Sequence, residues 1–246
     1  RNLDNAIAGQ VALIAKKRER PVQLIWSRAE DLMHDHYRTP SQARFDAAMA
    51  KAGRVEALQI KIAAPPSARE QARRLFEGMD NVEAMRSSLG EADIKAVAGL
   101  DVPYDIPNLT VDHHSAFVGL PTGNWRSNAH SSNIFYLESF IDELAAKAGI
   151  EPLSFRMQMM NNQPRLARCL TGVAAMAGWD GGLDSSGQGL ACHSMRGGYI
   201  AVIASASRGA SGLAVRRISA TVDIGRIIHP DIARQPDTKG KFFELV

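Results

Sequence analysis

The sequence predicts an α+β fold in which β-hairpins and single strands pack with a cluster of helices. Three observations lead there. Apolar residues recur with a helical period from Leu3 to Arg18 and again from Ser131 onward. They alternate with period two between Val55 and Ile62. Strand-like and helix-like segments come in blocks, without the regular βαβ alternation of a parallel sheet.

Leu3, Ile7, Val11, Ile14 and Ala15 make the first helical stripe, and Pro21 ends it. Val22 to Trp26 reads as a strand, and Arg28 to Met33 as a short helical turn. Ala43 to Met49 and Val55 to Ile62 read as a hairpin with Gly53 in its turn. Pro65-Pro66 breaks the second of these strands, and residues 67 to 100 read as a weakly helical surface insertion. Leu109 to Val118 forms the next strand, with His113 and His114 on opposite faces. Three helices follow at Ser131–Ala148, Pro152–Met160 and Pro164–Ala177, separated by turn residues such as Gly149. Strands at Leu190–His193, Gly198–Ser205 and Gly212–Ile224 complete the chain. Asp223 and Arg226 are expected to fix the turn after the last strand by a local salt bridge or hydrogen bonds. The expected organisation is a helix with strands over 1–64, an insertion or linker over 65–106, a second structured region over 107–235, and a tail over 236–246.

Composition narrows the class. A chain of 246 residues with 45% apolar and 22% charged residues has ordinary globular make-up. Its net charge of +3 gives no concentrated basic face, so no nucleic-acid partner is expected. The densest basic run, Lys16 to Arg20, ends a helix, where cations complement the dipole. No apolar run reaches the roughly 20 residues of a membrane span. Cys169 and Cys192 have no metal spacing, read as small buried apolar residues, and fall short of the four thiolates an iron–sulfur cluster needs. His34, Asp35 and His36 lack the i, i+4 geometry and distant third ligand of a metal site, so no metal ligands are assigned.

The most informative segment is Pro121-Thr-Gly-Asn-Trp-Arg-Ser127, which leads into the helix from Ser131. A polar loop that ends at a helix N-terminus offers free backbone N–H groups to an anion. Arg126 adds a planar fork of donors. Gly123 permits close backbone approach. Asn124 and Ser127 are loop residues that serve ligand or turn equally well. Trp125 reads as a site aromatic or as a hydrophobic plug.

This loop resembles the cofactor-facing loop of the molybdenum-containing subunit of the xanthine oxidase and aldehyde oxidase family, above all the branch of isoquinoline 1-oxidoreductase beta subunits and related bacterial aldehyde dehydrogenases. Three further segments are similar to that subunit, in the same order: Pro21 to Pro40, Glu151 to Arg156, and Ala220 to Gln235. The resemblance spans about residues 5 to 235. It implies that the fold is part of a molybdopterin-binding domain, with a site loop at 121–130. It implies hydroxylation of an N-heteroaromatic ring, or oxidation of an aldehyde, with water as oxygen source. It further implies a molybdopterin cofactor in the cytosine dinucleotide form, a separate [2Fe–2S] subunit and a small-molecule substrate, and leaves the compartment, bacterial cytoplasm or periplasm, open.

Residue by residue, the resemblance makes Arg126 the catalytic candidate. Gly123, Asn124, Trp125, Ser127 and Gln235 become cofactor contacts. Glu30 matches a pocket carboxylate that orients substrate, with a role in the helix start near Arg28 as its alternative, and Arg38 lies in a family-like loop. The family's Gly-rich segments on either side, and its Gly-x-Gly-Glu motif with the catalytic base, do not occur in these residues. The sequence after Gln235 departs from the family pattern, which puts the role of Gln235 in doubt. The chain is therefore expected to be part of a longer subunit, inactive by itself and without bound cofactor. The alternative is a non-catalytic structural or assembly module.

Overall fold

The computed structural model describes residues 6–182, 186–210, 212–229 and 244–245. Helices α1 (Ala6–Arg18) and α2 (Arg28–His34) come first, followed by strands β1 (Tyr37–Arg38), β2 (Gln42–Met49) and β3 (Val55–Ala64). Helices α3 (Ser67–Phe76) and α4 (Asn81–Ser87) and a 3-10 turn at Ile94–Val97 occupy the region expected as an insertion. Strands β4 (Asn108–Ser115) and β5 (Thr122–Gly123) precede helices α5 (His130–Ala148), α6 (Pro152–Met157) and α7 (Pro164–Ala177). Strands β6 (Gln188–Met195), β7 (Gly198–Gly209), β8 (Gly212–Asp223) and β9 (Glu244–Leu245) end the order. The α+β class is as the sequence predicts. Residues 21–27 correct the expected strand at Val22 to Trp26, for they carry none. Their side chains alternate in burial, but an extended segment becomes a strand only when a neighbour completes its hydrogen-bond ladder.

The chain divides into two compact units. One holds residues 1–42, 62–97 and 113–129; the other holds 43–61, 98–112 and 130–246. Strands β2, β3 and β4 form a sheet in that order, and the chain passes from unit to unit within them.

In the first unit the apolar core includes Ile62, Ala64, Ala84, Met85 and Ala96. Polar side chains are buried beside it: Ser67, Glu70, Asp93 and Thr122 are each at most 6% exposed. Each therefore needs an internal partner. Asp93 accepts from the backbone N–H groups of Ala68 and Lys95, at 2.8 and 2.9 Å. The region from 67 to 97 thus contributes to a core as well as to the surface.

In the second unit β6 and β7 pair antiparallel through an Arg196-Gly197 turn. Both residues have positive φ, 52° and 79°, as a two-residue hairpin of the primed type requires. β7 pairs antiparallel with β8, and β8 parallel with β9. Helix α7 covers this sheet with Leu166, Cys169, Leu170 and Val173, the i, i+3, i+4, i+7 stripe of an amphipathic helix. Helix α5 buries Leu137, Ile141, Leu144 and Ala145 in the same manner. In the hairpin turn the ideal Cβ of a residue at Gly53 (φ 78°) would lie 3.0 Å from Ala148 Cβ, so both its backbone and its surroundings require glycine.

A buried ionic cluster ties this unit together. Arg156 Nε donates to Glu138 Oε2 at 3.2 Å, its Nη1 to Asp142 Oδ1 at 2.6 Å, and its Nη2 to the Glu138 carbonyl at 3.1 Å. Tyr104 Oη donates to Glu138 Oε1 at 2.6 Å, and the Cys192 backbone N–H to Glu138 Oε2 at 2.9 Å. Burial, then the neighbouring Cys192 and Glu138, pushes the Tyr104 phenol well above its ordinary value, so it remains a donor. Burial and Glu138 likewise push the Cys192 thiol up. Both cysteines are free and buried, as expected.

Asp223 fixes the turn by a local hydrogen bond, accepting from the Gly225 N–H at 3.3 Å, but among the described residues its ion-pair partner is not Arg226. Asp223 instead receives a fork from Arg165, at 2.8 and 2.5 Å. This pairing draws the Asp223 carboxyl down to about 2. A guanidinium on α7 can align both donors with the carboxylate, which gives the stronger bidentate geometry.

Candidate functional site

The first unit carries a polar cleft of about 490 Å³ beside the loop that follows β5. Three helices and two loop segments build it. Ser27 caps α2, its Oγ accepting from the Glu30 backbone N–H at 3.2 Å, and α2 presents Arg28 and Leu32 to the cleft. Helix α3 presents Gln71, Arg74 and Leu75. Asp80 caps α4 by accepting from the Glu83 N–H at 2.8 Å, and Asp80 and Asn81 close that end. Asp35 and His36 come from one loop, and Gly123, Asn124 and Trp125 from the other.

The two loop segments meet through β1 and β5. These two-residue strands pair parallel, Tyr37 opposite Thr122 and Arg38 opposite Gly123. The Tyr37 N–H donates to the Pro121 carbonyl at 2.9 Å, and the Trp125 indole N–H to the His36 carbonyl at 2.8 Å. The Arg38 guanidinium lies 5.4 Å from the centroid of the Trp125 ring, a cation–π contact. Segments 85 residues apart in sequence, at Tyr37 and Thr122, therefore form one wall.

The strand pairing explains Gly123. A Cβ there would lie 2.6 Å from His36 Cβ, closer than any real side chain sits. Glycine serves the crossing of the two segments and leaves the backbone edge on the cleft. Asn124 Nδ2 donates to Gln71 Oε1, and Arg74 Nη2 to the Thr122 carbonyl at 3.0 Å. His36 Nε2 lies 3.2 Å from Asn81 Oδ1. The lining holds Arg28 and Arg74 together with Asp35 and Asp80, so the formal charge of the cleft is balanced.

The residues singled out from sequence are thus partly assembled. Gly123, Asn124 and Trp125 line the cleft, with Arg38 stacked behind the indole. Arg126 and Ser127 are exposed and do not line it; they lie in a turn closed by the Asn128 N–H on the Trp125 carbonyl at 2.8 Å. Ser127 has φ 69°, a left-handed conformation. Among the described residues Arg126 makes no hydrogen bond or ion pair, so its guanidinium faces water. Glu30 turns away from the cleft and pairs with His34 on its own helix at 3.2 Å. Gln235 lies outside the described residues. Within the loop Thr122 is fully buried, and only 124–128 are exposed. Its hydroxyl has internal partners, which removes the cost of burial.

Arg28, Gln71, Arg74, His36 and Asn81 escaped the sequence reading. The pattern Ser67-Ala-Arg-Glu70 after Pro65-Pro66 was an available helix-start signal for α3. No group of three or more His, Cys, Asp or Glu among the described residues is placed to hold a metal ion. Among them no helix is long and apolar enough to cross a membrane.

A polar cleft whose walls supply guanidinium and amide donors beside carboxylate acceptors belongs to a small-molecule or cofactor-binding protein of α+β build. The chain belongs to the molybdopterin cofactor-binding domain family, whose model matches residues 4–160. It is similar to the beta subunit of isoquinoline 1-oxidoreductase from Brevundimonas diminuta, 27% identical over 95% of this chain and 30% of that protein. A nicotinate dehydrogenase subunit from Pseudomonas putida is 24% identical over 73% of this chain and 14% of its own length. Two solved structures share the fold over 86% of this chain. They are the aldehyde oxidoreductase of Desulfovibrio gigas, at 17% identity and TM-score 0.51, and quinoline 2-oxidoreductase of Pseudomonas putida 86, at 14% and 0.52. The chain spans less than a third of the length of each of these relatives.

The cleft suits the group this family binds. A pterin edge alternates donors and acceptors, and so does this wall: Asn81, Asn124, Gln71 and the two arginines beside Asp35 and Asp80. Trp125 adds an apolar face at the rim.

Proposed function

We propose that this chain is the part of a molybdenum hydroxylase large subunit that presents the loop Gly123 to Ser127 to molybdopterin. The reading rests on family membership and on one observation above all. Residues 36–38 and 122–125, which lie in two segments that resemble the family in sequence, are joined by strand pairing on one polar cleft. In the complete enzyme the substrate is an N-heteroaromatic compound or an aldehyde, and electrons leave to a [2Fe–2S] subunit. The cofactor is the cytosine dinucleotide form. When bound, molybdopterin supplies the redox centre at which a carbon beside a heteroatom is oxidised, with water as oxygen source.

This chain's own residues bind and orient. Asn124 and the backbone at Gly123 hold polar edges of the cofactor. Trp125, braced by His36 and Arg38, shields that edge from water. Arg126 presents a positive charge from the loop, and stabilises negative charge that develops on the substrate. Glu30 and Arg38 are assigned to the substrate side, with Ser127 and Gln235 as further cofactor contacts. For Glu30 the His34 pairing must open first, which an exposed i, i+4 pair permits at a cost of roughly 0.5 kcal/mol. The catalytic base lies in another part of the subunit.

The test uses the longer subunit that contains this chain. Asn124→Ala combined with Trp125→Ala lowers the molybdenum bound per chain and leaves the circular dichroism spectrum unchanged. Full molybdenum content and full turnover in that variant would overturn the proposal.

A further inference from the structure

Beneath the loop lies a row of buried hydroxyls with no part in the function proposed above. Thr39 Oγ1 is 2.7 Å from Ser67 Oγ, which is 2.7 Å from Thr122 Oγ1. The Thr122 hydroxyl donates in turn to Glu70 Oε2 at 2.9 Å. Donation to a carboxylate fixes the direction of the row, because an ionised carboxylate only accepts. Thr122 then accepts from Ser67 and donates to Glu70. Glu70 is 3% exposed, Ser67 6% and Thr122 0%.

We propose that Glu70 is a positioning residue: through the Thr122 hydroxyl it sets the backbone of the loop from Gly123 to Trp125. Thr122 is held from two sides by one helix, α3. Glu70 takes its side chain, and Arg74, one turn further on, donates to its carbonyl at 3.0 Å. The next residue, Gly123, has no side chain with which to fix itself, and Asn124 is tied to Gln71 of that helix. The loop therefore inherits its place from α3. A carboxylate is rarely buried to this degree without a partner, and the positive charge of Arg74 also acts on Glu70. Here its hydroxyl partner is the first residue of the loop. A methyl group would fill the space of the hydroxyl and bury as well, so packing alone does not call for Glu70.

The proposal builds on the assignment of the loop to molybdopterin, but its test needs no cofactor. The chain has three tryptophans. Trp26→Phe with Trp179→Phe leaves Trp125 as the sole reporter, and acrylamide quenching of its emission reads how firmly the loop is held. In that background Glu70→Gln keeps an acceptor oxygen and leaves quenching unchanged. Glu70→Ala and Thr122→Val raise the quenching constant about twofold or more as the loop loosens, with far-ultraviolet circular dichroism unchanged. Thr122→Ser, which retains the hydroxyl, stays at the parent value. Should Glu70→Ala fail to fold, the Ser and Val pair at 122 decides alone. Equal quenching in Thr122→Val and Thr122→Ser would overturn the proposal, as would a Glu70→Gln protein as loose as Glu70→Ala. If these results hold while molybdenum uptake by the longer subunit is indifferent to Asn124 and Trp125, the clamp stands and the cofactor assignment falls.

Discussion

Arg156 and Glu138 form an ion pair in which neither side chain reaches solvent, 0% and 5% exposed, with Nε and Oε2 3.2 Å apart. Two charges withdrawn from water are stable only when every donor and lone pair is used. Here Tyr104, Asp142, the Pro152 carbonyl and the Cys192 N–H complete the set. The pair thereby ties α5, α6 and β6 to the segment around Tyr104. Arg156→Met leaves Glu138 as a buried charge and lowers unfolding free energy by about 3–5 kcal/mol. Urea denaturation of the purified chain measures it. Arg156→Lys keeps the charge but not the fork, and falls between the two. A loss of under about 1 kcal/mol in Arg156→Met would equate the pair with a surface salt bridge.

His130 and His193 face each other with Nδ1 and Nε2 3.1 Å apart. Burial, and then His130, draws His193 from its ordinary 6.5 down to about 4, against a smaller opposing pull from Asp101. The folded state therefore binds fewer protons than the unfolded chain between these values. Stability rises with pH there, so it is full above about 6.5 and declines as the pH falls toward about 4. Because solvent reaches part of the ring and screens the effect, the decline attributable to this group is on the order of 1–2 kcal/mol. Thermal melts from pH 7 to 4 on the parent and on His193→Asn isolate it: the variant loses that part of the slope. Parallel pH profiles in the two proteins would refute the assignment.

The 246-residue chain, purified by itself, is expected to hold no stoichiometric molybdenum. It spans 30% of the length of its Brevundimonas relative, and a pterin is enclosed by more wall than one cleft provides. Elemental analysis checks this directly, and about one molybdenum per chain would contradict it. If no molybdenum is found in the longer subunit either, the chain is a non-catalytic structural module.

Much of this molecule is legible in its sequence because periodicity reports burial. The stripe Leu166, Cys169, Leu170, Val173 gives α7 its length and its buried face, and Pro164 gives its start. Leu58, Ile60 and Ile62 mark β3 by their period of two, whereas Val55, on the opposite phase, is buried as well, outside that pattern. The strand expected at Val22 to Trp26 shows the limit of that signal. Alternation reveals an extended, half-buried segment, whereas a strand also depends on a partner that the local sequence does not specify. The candidate site lay beyond periodicity altogether. Two residues on either side, at β1 and β5, are too short to produce a pattern, and Gly123 reads as a turn residue until His36 is placed beside it. Resemblance supplied what the pattern did not, by joining residues 21–40 to the loop at 121–127. It also directed attention to Glu30, whose partner His34 is visible only on the folded helix. Glu70 and Arg74 were hidden for a different reason: charged residues on a short helix between a Pro-Pro break and a polar stretch look like surface.

If the loop after Thr122 acts at a molybdenum site, as proposed, turnover per bound molybdenum depends on Arg126, and the variant Arg126→Ala reads that dependence. The measurement is made on the proposed longer subunit, together with the [2Fe–2S] subunit proposed as its partner. Arg126 is exposed and makes no hydrogen bond or ion pair among the described residues, so its removal should leave the melting temperature unchanged. Turnover per molybdenum should fall by on the order of 10²-fold, as when a preorganised charge is removed from an active site, and Arg126→Lys should recover part of it. Unchanged turnover per molybdenum, with or without a lower melting temperature, would contradict the account and return the loop to a purely structural role.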